Sequence, residues 1–327
     1  YPVLRAVFDH WLAAKAEDAG AVLAGSVRVD DLIWNNGRVA GVVAGPDEMA
    51  ADVVVAADGV NSLLAQKAGL KKELKPGQVS VGVKEVIALP QETINDRFGL
   101  KGDEGAARLF VGEATKGRIG GGFIYTNRAS LSLGLVFNLE NLIGSERKIP
   151  DLLEEFKGHP LIEPLLEGGR SVEYAAHLVP EAGLNMLPRL YTDGFLVVGD
   201  AAGLVINLGY LIRGMDLAIA SGQAAAQTII QAHQEKDFSQ KSLARYQQAL
   251  EDSFVLKDLR TYRSAQAFLD NPRLYSDYPQ LVEAVLADMF TVDGRPARPL
   301  LKKVWPHLRR FGLTRLLKDS WKGRRAL

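Results

Sequence analysis

Two aspartates in this sequence, Asp58 and Asp200, each end an apolar run beside a glycine. Asp58 precedes Gly59, and Asp200 follows Gly199. An ionised carboxylate only accepts hydrogen bonds, so it suits a ligand that offers hydroxyl groups, such as a sugar alcohol. A glycine beside it allows a ligand to approach the backbone closely. The pattern therefore predicts two pieces of a ligand site, each built on one carboxylate.

Apolar runs lead into both aspartates and predict the strands that position them. The runs are Val53–Ala57 and Phe195–Val198, with the β-branched and small residues of buried strands. Two strands that end in this way fit a nucleotide site at the carboxyl edge of a parallel sheet. A simpler alternative stays open, in which each aspartate only occupies a turn or caps the next helix.

A helix rich in small residues follows the second aspartate. Gly214 opens it, and the pattern predicts a helix from Met215 to about Gln231, with Arg213 just ahead. A helix N-terminus carries roughly half a positive charge and free N–H groups, so it can stabilise negative charge on a reduced flavin. The remaining residues of this candidate flavin region are Gly199, Asp200, Ala201 and Gly203.

The composition excludes several classes of protein. At 327 residues the chain is long enough for two domains, because single cores stop growing near about 250–300 residues. Acidic and basic residues balance at 39 each, so the bulk charge gives no sign of nucleic-acid binding. Cysteine is absent, which excludes disulfides and any iron–sulfur cluster ligated by this chain's thiolates. No apolar run approaches the roughly 18 residues that span a bilayer.

Helical and hairpin patterns precede and follow the first aspartate. Apolar residues at helical spacing predict an opening helix, and Asn35-Asn36-Gly37 is typical of a hairpin turn. The predicted segments are a helix from Val3 to a stop at Gly20, a short strand at 21–23, strands at 27–34 and 39–43, and a helix at 62–68 with Ser62 near its N-cap.

The middle of the chain changes to alternation of apolar residues. One series begins at Val79 and another runs from Leu131 to Leu139, with the period of two that is typical of antiparallel strands. His177 lies near the expected domain junction, where either a proton donor or a structural histidine fits. Further predictions are strands at 108–111, 119–125 and 171–179 and helices at 151–156 and 161–166.

Several motifs together resemble the flavoproteins that include electron-transfer-flavoprotein:quinone oxidoreductases, FixC-type proteins and geranylgeranyl reductases. The FixC type fits best, and the cofactor implied is FAD. In that group the counterpart of Asp200 contacts the ribityl chain, and the counterpart of Asp58-Gly59 lies near the pyrophosphate. Arg5 matches an arginine near the FAD, with a solvated helix charge as its alternative. The matching stretches are 193–228, 82–86, 122–127 and 253–259.

The resemblance implies an α/β fold of para-hydroxybenzoate-hydroxylase-like architecture. In it, a Rossmann-like FAD/NAD(P)-binding domain, incomplete at its N-terminus, carries an inserted antiparallel α+β substrate domain. The implied division is residues 1–72 and 181–235 for the two parts of the FAD-binding domain, 73–180 for the substrate or quinone domain, and 236–327 for a C-terminal helical region with a basic amphipathic end.

The Gly-x-Gly-x-x-Gly fingerprint of these families is missing. Gly120-Gly121-Gly122 leads into a strand pattern and opens no helix, so it does not qualify. We therefore expect a truncated start that lacks the first βαβ unit. Two possibilities follow: the chain binds FAD by itself, or it is inactive without that unit.

The end of the chain is strongly basic and amphipathic. From Leu301 onward, nine lysines and arginines stand against one aspartate, which gives a local charge of +8. Apolar residues recur beside them at helical spacing, so these helices are suited to the headgroup region of an anionic membrane. The alternative is docking on the protein's own core or on a partner subunit.

Electron transfer is the function that the resemblance implies. An electron-transfer-flavoprotein-like heterodimer would supply electrons, a membrane quinone would accept them, and a ferredoxin-like small subunit would be an associated partner. The protein would be cytoplasmic and peripheral to the inner face of the cell membrane, with nitrogen fixation or carnitine metabolism as the pathway. Alternatives are an isoprenoid double-bond reductase, an aromatic hydroxylase, and a non-catalytic membrane-associated homologue. The sequence assigns no catalytic side chain and predicts no metal site.

Overall fold

The chain combines strands and helices in its first two thirds and continues as a run of helices, and the computed structural model describes residues 3–181 and 183–326. The helices are α1 (Arg5–Asp18), α2 (Leu63–Lys67), α3 (Gln91–Phe98), α4 (Ile149–Lys157), α5 (Glu163–Leu166), α6 (Met215–Glu235), α7 (Gln240–Asp252), α8 (Phe254–Thr261), α9 (Ala265–Leu269), α10 (Asp277–Phe290), α11 (Leu300–Phe311) and α12 (Leu313–Ala326). The strands are β1 (Asp31–Asn35), β2 (Arg38–Ala44), β3 (Asp47–Ala50), β4 (Val54–Ala56), β5 (Val79–Ala88), β6 (Ala107–Phe110), β7 (Gly120–Thr126), β8 (Ser130–Asn138), β9 (Arg170–Pro180), β10 (Tyr191–Thr192), β11 (Phe195–Val197), β12 (Ile206–Asn207) and β13 (Ile212–Arg213).

The first hydrophobic core forms around two short parallel strands, β4 and β11. Val54 pairs with Phe195, and β10 adds an antiparallel strand on the other side of β11. All three residues of β11 are completely buried, in a core that also contains side chains of α6, α7 and α8. Burial contributes roughly 1.5–3 kcal/mol for each large apolar side chain. The predicted strands at Val53–Ala57 and Phe195–Val198 are confirmed.

The second core lies against an antiparallel sheet of five described strands, in the order β6-β7-β8-β5-β9. Alternate residues of β8, from Leu131 to Phe137, have no solvent exposure. Side chains of α3, α4 and α5 complete this core. The antiparallel sheet predicted from the alternation is confirmed, and it stands in the chain between the two strands of the first core.

β1 and β2 form the predicted hairpin. Its loop is Asn36-Gly37, with φ of +49° and +81°, which is the left-handed backbone that a type I′ turn requires. The ladder begins at Asp31 instead of Val27, and β3 extends it as a third strand that was not predicted.

The segment before this hairpin contains one wrong prediction. The opening helix is confirmed as α1, followed by Gly20 at φ +95°. The strand expected at 21–23 is not formed, and Val22 is 93% exposed. A strand is stabilised by hydrogen bonds to a neighbouring strand, and no described segment pairs with these residues.

Helices α9 to α12 form the C-terminal end. α12 packs against α9, and α11 packs against α10. Asp319 of α12 is 2% exposed and accepts hydrogen bonds from Arg273 at 2.7 and 2.9 Å and from the Tyr278 hydroxyl at 3.1 Å. One side of α12 is therefore docked on the protein's own helices. Among the described helices, none has the length and apolar character needed to cross a bilayer.

Candidate functional site

The parallel pairing of β4 and β11 brings the two aspartates to one edge of the sheet. Ala56 pairs with Val197, and the Val198 N–H donates to the Ala56 carbonyl at 3.0 Å. Both strands end at this point, so the loops that carry Asp58 and Asp200 start side by side. This juxtaposition is the arrangement expected for a nucleotide site at the carboxyl edge of a parallel sheet.

Asp58 has a structural task within its own loop. The Ser62 hydroxyl donates to Asp58 Oδ1 at 2.7 Å, and the Leu64 N–H donates to Oδ2 at 3.3 Å. Ser62 occupies the N-cap position of α2, as predicted, but it makes no capping hydrogen bond of its own. Asp58 satisfies a free N–H of that helix instead. Gly59 follows at φ +76°, a conformation that glycine adopts without strain.

The Asp200 carboxylate is partly buried and makes no hydrogen bond or ion pair with any described residue. Burial raises the pKa of Asp200, while the nearby His177, Arg5 and Lys71 act electrostatically in the opposite direction. A Cβ built on Gly214 would lie 4.0 Å from Asp200 Oδ1, so the carboxylate stands beside the start of α6. An acceptor without a donor at this position fits a ligand that brings hydroxyl groups.

The loop from Gly199 to Gly203 lies close against α6. Gly199 has φ +56°, and a Cβ on it would meet the Ala218 Cβ at 3.2 Å. Its N–H donates to the Ser221 hydroxyl oxygen at 2.9 Å. The loop passes through Ala201, which is fully buried, to Gly203 at φ +70°. Both glycines are favoured here by their positive φ, and Gly199 also by its close approach to α6.

The start of α6 lies where it was predicted, and Arg213 beside it is paired with acidic side chains. Gly214 is its N-cap residue, and Met215 is its first residue, 36% exposed. Arg213 donates to Asp216 at 2.8 Å and to Asp258 at 2.6 Å. Two carboxylates therefore balance this guanidinium, so positive potential at the start of α6 comes chiefly from the helix N–H groups.

Arg5 on α1 is exposed and forms an ion pair with Asp9, four residues along the same helix, at 2.7 Å. Pairs of opposite charge four residues apart are common on exposed helix surfaces. Arg5 nevertheless contributes to the electrostatic environment of Asp200, as does His177 on β9, whose side chain is also exposed.

Lys71 is a site residue that the sequence did not reveal. Its side chain is buried, and its Nζ donates to the Val60 carbonyl at 2.5 Å and to the Ala201 carbonyl at 2.9 Å. It thus connects the two aspartate loops. Burial lowers the pKa of Lys71, and the negative charges of Asp58 and Asp200 counter that effect. In the sequence, nothing distinguishes Lys71 from its exposed neighbour Lys72.

Tyr246 of α7 is a second buried contact that the sequence did not indicate. Its ring is fully buried, and its hydroxyl donates to the Val197 carbonyl at 2.9 Å. That carbonyl belongs to the last residue of β11, two residues before Gly199 begins the turn. α7 therefore fixes the point from which the Asp200 loop departs.

Comparison with known proteins identifies the family of this chain. Residues 265–327 match the family model of the ETF-QO/FixC family C-terminal domain. The protein FixC of Escherichia coli K12 is 52% identical over 323 residues, which cover 99% of this chain and 75% of FixC. A probable electron transfer flavoprotein-quinone oxidoreductase of the same organism, YdiS, is 50% identical over 327 residues, or 100% of this chain and 76% of YdiS.

Solved structures show the same fold at lower identity. A geranylgeranyl bacteriochlorophyll reductase-like protein from Thermoplasma acidophilum matches with a TM-score of 0.67 at 21% identity, over 95% of this chain and 74% of that one. The predicted fold class, a Rossmann-like FAD/NAD(P)-binding domain with an inserted antiparallel domain, is confirmed. With the identity to FixC, the chain belongs to the ETF-QO/FixC family of FAD-dependent electron-transfer oxidoreductases.

Proposed function

We propose that this protein passes electrons from an electron-transfer-flavoprotein-like heterodimer to a membrane quinone through bound FAD. The observation that carries the proposal is the meeting of the Asp58 loop, the Asp200 loop and the start of α6 at one sheet edge. The names of the relatives, FixC and a probable electron transfer flavoprotein-quinone oxidoreductase, support the choice of donor and acceptor.

The residues at this edge fit FAD by the chemistry of their groups. Asp200 offers a partly buried carboxylate with no donor among the described residues, which suits the hydroxyls of the ribityl chain. The loop at Asp58-Gly59 is assigned to the pyrophosphate end. The proposed cofactor-binding set is Arg5, Asp58, Gly59, Gly199, Asp200, Ala201, Gly203, Arg213, Gly214 and Met215.

FAD supplies the redox chemistry when bound, and the chain supplies position and electrostatics. Lys71 keeps the two loops at a fixed spacing through its bonds to Val60 and Ala201. The start of α6 presents N–H groups where negative charge would collect. Arg213 also joins α6 to α8 through its ion pairs with Asp216 and Asp258.

We also propose that residues 73–180 form the substrate or quinone domain, and that 1–72 and 181–235 together form the FAD-binding domain. The two separate hydrophobic cores support this division. Helices α7 and α8, within the region 236–327, contribute to the first core. The start of the C-terminal region is therefore packed on the FAD-binding part.

A peripheral position on the inner face of the cell membrane is part of the proposal. α11 and α12 expose large apolar side chains, including Leu301 at 79%, Leu317 at 71% and Trp321 at 59%. Basic side chains stand beside them, a combination suited to an anionic lipid surface. A ferredoxin-like small subunit is the proposed iron–sulfur partner, because this chain has no cysteine to ligate a cluster.

Quinone reduction by the purified flavin-loaded protein tests the proposal. A reduced electron-transfer-flavoprotein heterodimer and a short-chain ubiquinone should give quinol only when this protein is also present. NADPH alone should give none. Consumption of NADPH with an isoprenoid or aromatic substrate, and without the heterodimer, would favour a reductase or hydroxylase instead. A protein expressed from its natural gene and purified without any flavin would favour a non-catalytic role.

A further inference from the structure

A polar pocket of about 630 Å³ lies where the end of α8 meets the end of α12. It is distant in sequence from both aspartate loops, and no step of the proposed electron transfer uses it. Its lining consists of three arginines and two hydroxyl residues, namely Arg260, Thr261, Arg263, Ser264 and Arg325.

The positive charge in this pocket is only partly balanced. Arg260 has one acidic partner, Glu251, at 3.4 Å. Among the described residues, Arg263 and Arg325 form no ion pair, and Arg325 lies 4.3 Å above the ring of Trp321. Guanidinium groups gathered around one pocket repel each other, and a bound anion would remove that repulsion.

The helices that carry these side chains are held together. Asp319 ties α12 to Arg273, and Ala326, next to Arg325, is 3% exposed. A Cβ built on Gly323 would lie 3.1 Å from the ring of Phe268, so α12 packs closely on α9. Arg325 is therefore kept near the end of α8 by packing, in addition to its contact with Trp321.

The donor set indicates which anion fits. Guanidinium forks pair with the oxygens of phosphate in bidentate fashion and remain charged at any physiological pH. The Ser264 hydroxyl makes no hydrogen bond to a described residue and is available as a donor. The Thr261 hydroxyl already donates to the Lys257 carbonyl at 2.9 Å. A carboxylate presents its roughly four acceptor sites in one plane, whereas a phosphate group presents oxygens on several sides and so suits donors that surround a pocket.

We propose that this pocket binds a phosphate group, supplied either by the headgroup of an anionic phospholipid or by a soluble phosphate ester. The phosphate site itself is independent of the proposed electron transfer. Only the lipid source depends on the proposed membrane position of α11 and α12. If a lipid supplies the phosphate, the pocket selects headgroups in addition to the general attraction between a basic surface and an anionic bilayer.

The test uses the double variant Arg263→Gln/Arg325→Gln and the matched control Arg309→Gln/Arg310→Gln. The control removes two exposed charges from the neighbouring helix α11, outside the pocket. Both are made in a protein whose Trp11, Trp34 and Trp305 are phenylalanine, so that Trp321 beside Arg325 is the fluorescent reporter. Thermal unfolding of each variant verifies that it is folded.

The first probe is soluble sn-glycerol 3-phosphate. We expect a saturable change in Trp321 emission, with binding at least about tenfold weaker in the pocket variant and nearly unchanged in the control, because phosphate–arginine pairs act at short range. Absence of saturable binding, or equal weakening in both variants, would overturn the proposal.

The second probe distinguishes the two sources. Phosphatidylcholine vesicles with and without phosphatidylglycerol are compared by co-sedimentation. If a lipid is the source, phosphatidylglycerol should increase binding, and the pocket variant should lose more of that increase than the control. If only the soluble ester binds, the phosphate site stands and its lipid source is contradicted.

Discussion

Lys71 Nζ lies 2.9 Å from the carbonyl oxygen of Ala201, the residue that follows Asp200. The same ammonium group donates to Val60, two residues after Asp58. One buried cation therefore holds together two loops whose aspartates, Asp58 and Asp200, are 142 residues apart in sequence. It also places a positive charge that interacts electrostatically with both Asp58 and Asp200.

Lys71→Met should destabilise the protein and weaken flavin retention. Methionine replaces the apolar stem but leaves two carbonyls without their donor, at a cost of about 1–3 kcal/mol. Loss of the positive charge should also raise the pKa of Asp200 further. Chemical denaturation and the flavin-to-protein absorbance ratio measure the two effects. Lys72→Met, at an exposed neighbour, is the control; equal losses in both variants would show that the bonds of Lys71 are unimportant.

Glu181→Gln should flatten the dependence of stability on pH. Glu181 is buried after β9, where Asn207 donates to its Oε2 at 3.1 Å, and burial raises the pKa of Glu181 above 4.5. The folded state binds the Glu181 proton more tightly than the unfolded chain does. The stabilising contribution of Glu181 is therefore complete below about pH 4.5 and is lost as pH rises through the pKa of the folded state. Urea midpoints at a series of pH values measure it.

The variant should therefore lose less stability than the wild type between acidic and neutral pH. Asp270 contributes a similar slope, since burial raises its pKa too, so part of the dependence should persist. Glu167→Gln, at an exposed site, is the control and should follow the wild type. A Glu181→Gln profile parallel to that of the wild type would contradict the assignment.

Asp319→Asn should loosen the docking of α12. The carboxylate is 2% exposed and receives two hydrogen bonds from Arg273, which also lower the pKa of Asp319. Breaking a buried pair costs about 3–5 kcal/mol, and we expect about 2–3 kcal/mol because Arg273 is one-third exposed. Limited proteolysis should cut the C-terminal segment faster, while Asp293→Asn, at an exposed ion pair, should behave as wild type. Unchanged cleavage in Asp319→Asn would refute the anchoring role.

The sequence predicted those parts of the site that depend on local pattern. Apolar runs ending in aspartate identified β4 and β11, because a fully buried strand consists of consecutive apolar residues. Alternation identified β8, because a strand with one buried face has an apolar residue at every second position. The roles of Lys71 and Tyr246 could not be predicted, since each depends on which loop or strand end lies across from it in the folded chain. The strand expected at 21–23 failed for a related reason: strand propensity without a pairing neighbour is insufficient.

The ion pairs of Arg213 also could not be predicted from the sequence. Its position before α6 gives no sign of an acidic partner, yet Asp258, 45 residues further along, pairs with it at 2.6 Å. The charge of an isolated residue type is known from sequence, but its balance depends on tertiary partners. The helix N-terminus keeps its predicted place because a backbone property does not require such partners.

Flavin retention by Asp200→Asn tests the central claim most directly. The protein expressed from its natural gene and this variant are purified side by side, and the flavin absorbance at about 450 nm is compared with the protein absorbance. Because asparagine keeps the shape and loses the charge of the only group we assign to the ribityl hydroxyls, flavin content should fall several-fold, with unchanged or higher thermal stability of the flavin-free protein. Asp47→Asn on the exposed strand β3 should retain wild-type flavin. Full flavin occupancy in Asp200→Asn would contradict the proposed site.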